Sequence, residues 1–287
     1  MKSAYCKYIS ALLLFGTNGI VASKIALPSY TIVFLRTLIG SLLLFSIFIL
    51  TRNSFTFYKY PKQSFCLAIS GIAMGLSWMF LYEAYSNLGV GIASLAYYCG
   101  PVIVMALSPL LFRERMTWGK TAGFLVVLIG IFLVNGQAAA HGATKWGVFC
   151  GAMSAVMYAF MVIFNMKSSP IAGLQNSSLQ LGVSFLTVAV FVCLKQNVSF
   201  YVEPSDWYPI MILGLLNTGI GCYLYFSSIG ELPVQTVAVC GYLEPLSAVA
   251  FSVIFLHEAM TPIQMAGGVM IIGGAMISER LKNKATA

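Results

Sequence analysis

Apolar runs of about 18 to 25 residues recur along the whole chain, separated by short clusters of glycine, proline and charged positions, and a run of that length crosses a hydrocarbon core of roughly 30 Å as an α-helix. Breaking the hydropathy at those clusters predicts ten spans. Five fall in the first half, near Lys7 to Val21, Tyr30 to Leu50, Ser64 to Tyr85, Gly91 to Phe112 and Trp118 to Val134. Five more follow, near Trp146 to Asn165, Ser178 to Leu194, Trp207 to Ser228, Val234 to Leu256 and Pro262 to Ile277. The expected fold class is an all-α membrane protein of ten transmembrane helices, with no segment left over for a soluble domain.

Composition agrees with the pattern. Of 287 residues 59% are hydrophobic and 8% charged, and the mean hydropathy is +0.88, whereas about a quarter of a soluble domain is charged. The seven cysteines are scattered through apolar runs without a Cys-x-x-Cys pair and read as small buried hydrophobes. The sequons Asn176-Ser-Ser and Asn197-Val-Ser arise readily by chance and carry no weight. Lys2 and Lys7 ahead of an apolar run, with small residues at Val21, Ala22 and Ser23, imitate a secretory signal; the segment is expected to be retained as the first helix, because it has a counterpart in the second half.

Lysine and arginine set the orientation, since basic loops are held on the cytoplasmic side. With the N-terminus inside, twelve basic residues fall on the cytoplasmic face, three (Lys24, Lys145 and Lys195) on the opposite face, and Arg36 within the second span. Both termini are therefore expected in the cytoplasm. The net charge of +8 belongs to this bias and to anionic headgroups, and requires no nucleic-acid partner.

An internal repeat adds more. Aligning Tyr98 with Tyr242 and continuing to Gly130 against Gly274 gives identity at ten of thirty-three positions, among them Tyr98/Tyr242, Pro101/Pro245, Glu114/Glu258, Met116/Met260 and Thr117/Thr261. Shared apolarity explains matched leucines but not a matched Tyr-x-x-Pro and Glu-x-Met-Thr. Because each unit holds an odd number of spans, the second enters the membrane from the other side. The expected organisation is two inverted five-helix repeats, residues 1–136 and 137–287, the architecture of secondary transporters with a site near the midplane.

The two elements Pro101…Phe112-Arg-Glu-Arg-Met-Thr-Trp-Gly-Lys and Pro245…Leu256-His-Glu-Ala-Met-Thr-Pro, each followed by a glycine-rich helix, resemble the paired EamA-type repeats of the drug/metabolite transporter (DMT) superfamily. The resemblance covers nearly the whole chain. It implies a multi-pass protein of the bacterial cytoplasmic membrane, a substrate–proton exchanger or facilitator, with a central cavity lined by helices one, three, four, six, eight and nine. It fixes the fold and not the cargo, since members include exporters of amino acids and importers of choline.

Several residues stand out within the spans. Pro101 and Pro245 each remove a backbone donor and free a carbonyl four residues earlier, on Tyr97 and Gly241, which marks either a broken, gating helix beside a cavity or a packing kink. Glu244, counted at 1.5 Å per residue from Leu232, lies roughly 18 Å into the ninth span, where an ionised carboxylate is expensive unless paired, hydrated or protonated. Its repeat counterpart is Gly100. The functional reading makes Glu244 a proton-coupling site or a counter-ion to a cationic substrate group; the structural reading makes it a helix-pairing carboxyl. Arg36 and Glu83 lie toward the outer ends of their spans, within reach of the headgroups by snorkelling, and are weaker candidates; a contact between them is open.

Aromatic residues make up 14% of the chain. Trp78, Tyr82 and Tyr85 recur on one face of the third helix, with Gly71 and Gly75 opening the same stripe. Tyr98 and Tyr242, with Tyr158 and Tyr225, are expected to complete an aromatic wall, although packing explains any one of them alone. Asn18 and Asn217 suit a ligand or a neighbouring helix. Glu114 and Glu258 read as helix-end caps or loop ion pairs.

No His-Glu-x-x-His, no phosphate-binding loop and no catalytic set is present, so no enzyme, cofactor or ATP-driven pump is expected, and with only His141 and His257, both near loops, no metal site. The expected partners are a small-molecule substrate, the bilayer and protons, with oligomeric state open. The expected function is export of amino acids or related amines by alternating access. Import of choline or another quaternary ammonium is the alternative, and an intramembrane enzyme or scaffold a remote one.

Overall fold

The computed structural model describes residues 2–52, 54–97, 144–168, 170–194, 201–228, 240–241, 243–257 and 261–284, together with 99–101, 103–104, 107, 122–123, 125–126, 129–130, 133 and 232. Tyr98, Tyr242, Glu114, Glu258 and most of the fifth span lie outside these residues. Among the described residues every regular element is helical. The order is α1 (Lys2–Gly16), α2 (Asn18–Ala22), α3 (Ser29–Leu50), α4 (Pro61–Leu88), α5 (Val90–Tyr97), α6 (Lys145–Met166), α7 (Gly173–Leu194), α8 (Trp207–Ser228), α9 (Leu243–Leu256) and α10 (Pro262–Lys284). Helices α3, α4, α6, α7 and α8 are each long and apolar enough to cross a membrane.

Local chemistry sets the ends. Pro61 opens α4 at a position whose N–H would have no helical partner, and Gly89, at φ 79°, closes it in the left-handed conformation that glycine adopts without strain. Thr144 caps α6, its hydroxyl accepting from the Gly147 N–H at 3.1 Å. Thr261 and Gln264 form a reciprocal capping box at the start of α10: the Thr261 N–H donates to Gln264 Oε1 at 2.9 Å and the Gln264 N–H donates to Thr261 Oγ1 at 3.2 Å. The threonine of the second Glu-x-Met-Thr element is thus a helix cap.

The bundle is built across the chain's midpoint. α4 packs on α6 and α7, α3 on α7 and α8, α1 on α8 and α9, and α5 on α6 and α9. In a membrane, where apolar surface gains little by leaving lipid, such contacts depend on close approach at small residues. Gly75 illustrates it: a Cβ there would stand 2.9 Å from the Ser184 carbonyl oxygen of α7. A Cβ at Gly71 would lie equally close, 2.9 Å, to the Gln180 carbonyl. The glycine end of the α4 stripe is therefore closed by α7 instead of opening a space. Outward-facing Leu42, Ile49, Leu186, Val190, Phe255 and Val269 remain exposed, as a lipid-facing surface requires.

Two spans depart from the uninterrupted helices expected of them. The first breaks at Thr17, between α1 and α2. The Leu14 carbonyl there accepts from the Thr17 N–H at 3.1 Å, from Thr17 Oγ1 at 2.7 Å and from Asn217 Nδ2 of α8 at 2.8 Å, so the interrupted backbone stays satisfied. The eighth is continuous but widens into a π-helix over Ile212–Ile220. Within it the Thr218 hydroxyl donates at 2.7 Å to the carbonyl of Leu213, five residues back. Neither departure involves a proline, so neither leaves a helix breaker in the sequence. Ahead of Pro101, by contrast, the Cys99 N–H turns back to the Ala96 carbonyl, three residues earlier, at 3.1 Å. Pro245 lies within helix, with Cys240 and Gly241 helical ahead of it and α9 running on to Leu256.

Substituting Gly75 with valine should push α4 from α7 and lower stability by about 1–3 kcal/mol, read as a lower apparent Tm of the detergent-purified protein. Gly273, where an added Cβ meets nothing within 4 Å among the described residues, is the control: Gly273→Ala should stay within about 0.5 kcal/mol of wild type. Thr261→Ala should cost about 1 kcal/mol in the same measurement through loss of the cap.

Candidate functional site

The broken first span and the π-helix of α8 face each other, and the side chains they present meet on Arg36. This residue is the eighth of α3, about 10 Å from the helix start at 1.5 Å per residue. Its α3 face carries Ser29, Val33, Gly40 and Leu44 at three- and four-residue spacing, all turned into the bundle. The guanidinium is 1% exposed and does not snorkel, because its acceptors lie inside. Nε donates to Thr218 Oγ1 at 2.8 Å, Nη1 to the Tyr82 hydroxyl, and Nη2 to Asn18 Oδ1 at 3.3 Å. The guanidinium carbon also stands 4.4 Å from the Trp78 ring centroid and 5.0 Å from that of Tyr82, within cation–π range.

Each partner is itself fixed. The single Thr218 proton is committed to the Leu213 carbonyl, which leaves the oxygen to accept from Arg36. Asn18 Oδ1 accepts from Asn217 Nδ2 at 3.2 Å as well as from Arg36. Asn217 reaches back to the Leu14 carbonyl and to Thr17 Oγ1, both at 2.8 Å. Of the two asparagines, Asn217 thus makes helix contacts, while Asn18 both joins them and reaches the cavity wall.

Beside this cluster lies a cavity whose envelope holds about 560 Å³ of non-protein space, open surroundings included. Its wall takes Phe15 and Asn18 from the first span, Trp78, Leu81 and Tyr85 from α4, Tyr97 from α5, Tyr158 from α6, Tyr225 from α8 and Glu244 from α9. These are the six spans that the sequence resemblance implies; α3 joins them through Arg36. The rings pack on one another, Tyr97 edge-on to Tyr158 at 5.1 Å and Tyr225 against Tyr8 and Phe15 at 5.6 and 5.8 Å. Arg36 and Glu244 are the charged side chains among the described residues of the wall.

The position aligned with Glu244 has a steric reason to be glycine. A Cβ on Gly100 would stand 2.4 Å from Tyr158 Cδ1, so the Tyr158 ring occupies the place that a side chain would take. The two aligned positions therefore differ in function of space: one receives an aromatic ring from α6, the other projects a carboxyl into the same cavity.

Of the residues singled out in the sequence, Asn18, Trp78, Tyr158, Tyr225 and Glu244 come together in this wall. Tyr82 does not: its hydroxyl is taken by Arg36, and its ring, 5.2 Å from Tyr85, lines a second cavity together with Ser23, Ile25, Ser29 and Val90. Tyr85 belongs to both walls. Arg36 and Glu83 do not meet; Glu83 accepts instead from Ser29 Oγ and, at 3.1 Å, from Trp146 Nε1, which ties the ends of α3, α4 and α6. Arg36 is the residue undervalued by the sequence reading. Its signal was the stripe Ser29, Val33, Arg36, Gly40, Leu44, small and polar enough to mark an inward face.

The model of the EamA-like transporter family matches the chain twice, over residues 2–136 and 145–279. A protein named uncharacterized transporter YxxF, from Bacillus subtilis, is 23% identical over 281 residues, covering 96% of this chain and 89% of that one. A probable terminal-alkyne amino-acid exporter from Streptantibioticus cattleyicolor is 27% identical over 219 residues, covering 72% and 71% of the two chains. One solved crystal structure, 20% identical, superposes with a TM-score of 0.72 over 98% of this chain and 99% of its own, which shows a shared fold. This chain belongs to the EamA-like transporter family of the drug/metabolite transporter superfamily and is a multi-pass membrane protein.

Proposed function

We propose that the chain is a secondary transporter that exports amino acids or related amines by alternating access, its two halves, residues 1–136 and 137–287, rocking about the central cavity. The observation that carries this reading is that one aromatic-walled cavity draws on helices from both sides of the chain's midpoint and holds both Arg36 and Glu244. In that wall Trp78, Tyr158 and Tyr225 supply faces for stacking or for an ammonium ion, Asn18 a polar contact, and Glu244 the coupling proton or the counter-charge. Tyr98 and Tyr242 are the repeat-related tyrosines assigned to the same wall. Pro101 and Pro245 provide the points at which helices four and nine flex.

The path follows from the two cavities. Tyr85 stands between them, and the second is lined by Ser23, Ile25 and Ser29, at the end of the bundle near Lys24 and Lys145. By the charge bias that end is the outer one. Cargo leaving the central cavity would pass the Tyr82–Tyr85 pair to reach it. The name of the Streptantibioticus relative, an amino-acid exporter, points the same way.

Import of a quaternary ammonium is the competing reading, since an aromatic box beside a carboxylate also suits choline. The guanidinium of Arg36 in the same wall weighs against it, because a cargo with only a positive charge meets a like charge in a low-dielectric site; the same argument applies to a bare amine and favours the amino acid over it.

In proteoliposomes, counterflow of a labelled amino acid should be faster with an imposed pH gradient than without, and Glu244→Gln should lower transport by about ten- to a hundredfold and remove its dependence on the gradient. Unchanged transport and unchanged proton dependence in Glu244→Gln would rule out the coupling role. In the same vesicles unlabelled amino acids should compete with the label and choline should not; competition by choline alone would favour the import reading.

A further inference from the structure

Resting on that reading, we infer that Arg36 is the seat for a carboxylate of the cargo, so that the transported molecule is a monoanionic carboxylate with an apolar or aromatic body, and a zwitterion where an amino group is also present. Among the described residues the hydrogen-bond partners of Arg36 are Thr218, Tyr82 and Asn18, all neutral. They satisfy geometry without cancelling charge. An intramembrane cation is costly to hold, and a purely structural link between α2, α4 and α8 needs only a neutral donor.

The donors also count out. A guanidinium has five N–H groups, and the three partners engage one each on Nε, Nη1 and Nη2, which among the described residues leaves one on each terminal nitrogen. A carboxylate accepts two parallel N–H donors from such a group in the strongest arrangement available to it. Arg36 lines the cavity from which such a carboxylate would approach. The engaged donors hold the plane of the group: Thr218 is locked by its own bond to the Leu213 carbonyl in the π-helix, and the Trp78 ring sits 4.4 Å from the guanidinium carbon. A planar donor pre-oriented in this way loses little freedom when the ligand arrives.

The charge of the wall selects the ligand further. Arg36 is its one cation among the described residues, and Glu244 is in the same wall. A phosphate carries about −1.5 to −2 at neutral pH and would be left with uncompensated charge beside a carboxylate, whereas a single carboxylate matches one guanidinium. The remaining wall, Phe15, Met74, Trp78, Leu81 and Phe226, offers contact to an apolar body.

Three probes that differ by one group test this: L-phenylalanine, 2-phenylethylamine, which lacks the carboxylate, and phenylacetate, which lacks the amino group. Binding to the purified wild-type protein is measured calorimetrically at fixed pH, with no gradient, so that coupling plays no part. Wild type should bind phenylalanine about ten- to a hundredfold more tightly than phenylethylamine. Arg36→Lys and Arg36→Gln should remove that preference and weaken phenylacetate, while the affinity for phenylethylamine stays within about twofold of wild type in Arg36→Lys and does not fall in Arg36→Gln, which takes a cation out of the wall. Equal binding of phenylalanine and phenylethylamine by wild type overturns the proposal whatever the variants do, and so stands even if the variants fail to fold. A parallel fall for all probes in folded Arg36→Lys also overturns it, since that is the behaviour of a scaffold residue. Binding of the amine alone leaves an amine transporter without a carboxylate seat; binding of none of the three overturns this proposal together with the functional reading above.

Discussion

A guanidinium held inside an apolar bundle depends on protein acceptors, because there is no water in the hydrocarbon to replace them. At Arg36 three of the five N–H groups are met among the described residues and two are left to the cavity it lines. Arg36 is 1% exposed, and the structure around it is arranged by that requirement. Acceptors are brought from three other elements: Asn18 from the first span, Tyr82 from α4 and Thr218 from α8. Insertion scales put the cost of an arginine at a helix centre at about 2.5–3.5 kcal/mol, more than a single charge-assisted hydrogen bond reliably returns. Three such bonds and two aromatic faces are needed before the group is at ease.

The two irregular spans are the means by which those acceptors are presented. In the π-helix of α8, Thr218 reaches the carbonyl five residues back, and that bond turns its oxygen toward Arg36. Its neighbour Asn217 is thereby directed at the break in the first span, where it caps the Leu14 carbonyl and braces Asn18. Break, wide turn and cation are one device: remove the break and Leu14 has no need of Asn217; remove Asn217 and Asn18 loses one of the two donors that hold it. Close helix contacts at Gly40, where a Cβ would stand 2.8 Å from Thr218, keep α3 and α8 at the separation this requires.

Much of this fold was legible in the sequence because hydropathy at the length of a bilayer is a strong signal, and α3, α4, α6, α7 and α8 begin and end within a few residues of the spans read from it. The site was legible in part. Trp78, Tyr158, Tyr225 and Glu244 stood out as large or charged side chains deep in spans. Arg36 was misplaced because depth along a helix was weighed and azimuth was not; ten ångströms from the helix start is within reach of headgroups only for a side chain on the lipid-facing side. The π-helix and the break at Thr17 left no proline to find. Both are made by side chains from other helices, and a reading that treats each span separately has no term for that.

The asymmetry between Gly100 and Glu244 takes on a physical sense from the same geometry. If the two halves had identical side chains at their interface, a carboxyl at each aligned position would place two like charges in one low-dielectric cavity, and one of them would have to give up its charge. Gly100 avoids this and gives its space to the Tyr158 ring. The cavity wall is left with aromatic rings, one carboxyl and one guanidinium, drawn from helices of both halves. Such a site has a direction: it distinguishes the two ends of an asymmetric molecule, as a symmetric pocket between two equal repeats would not. On the function proposed above, that departure from pseudo-symmetry would let a duplicated scaffold hold one cargo in one orientation.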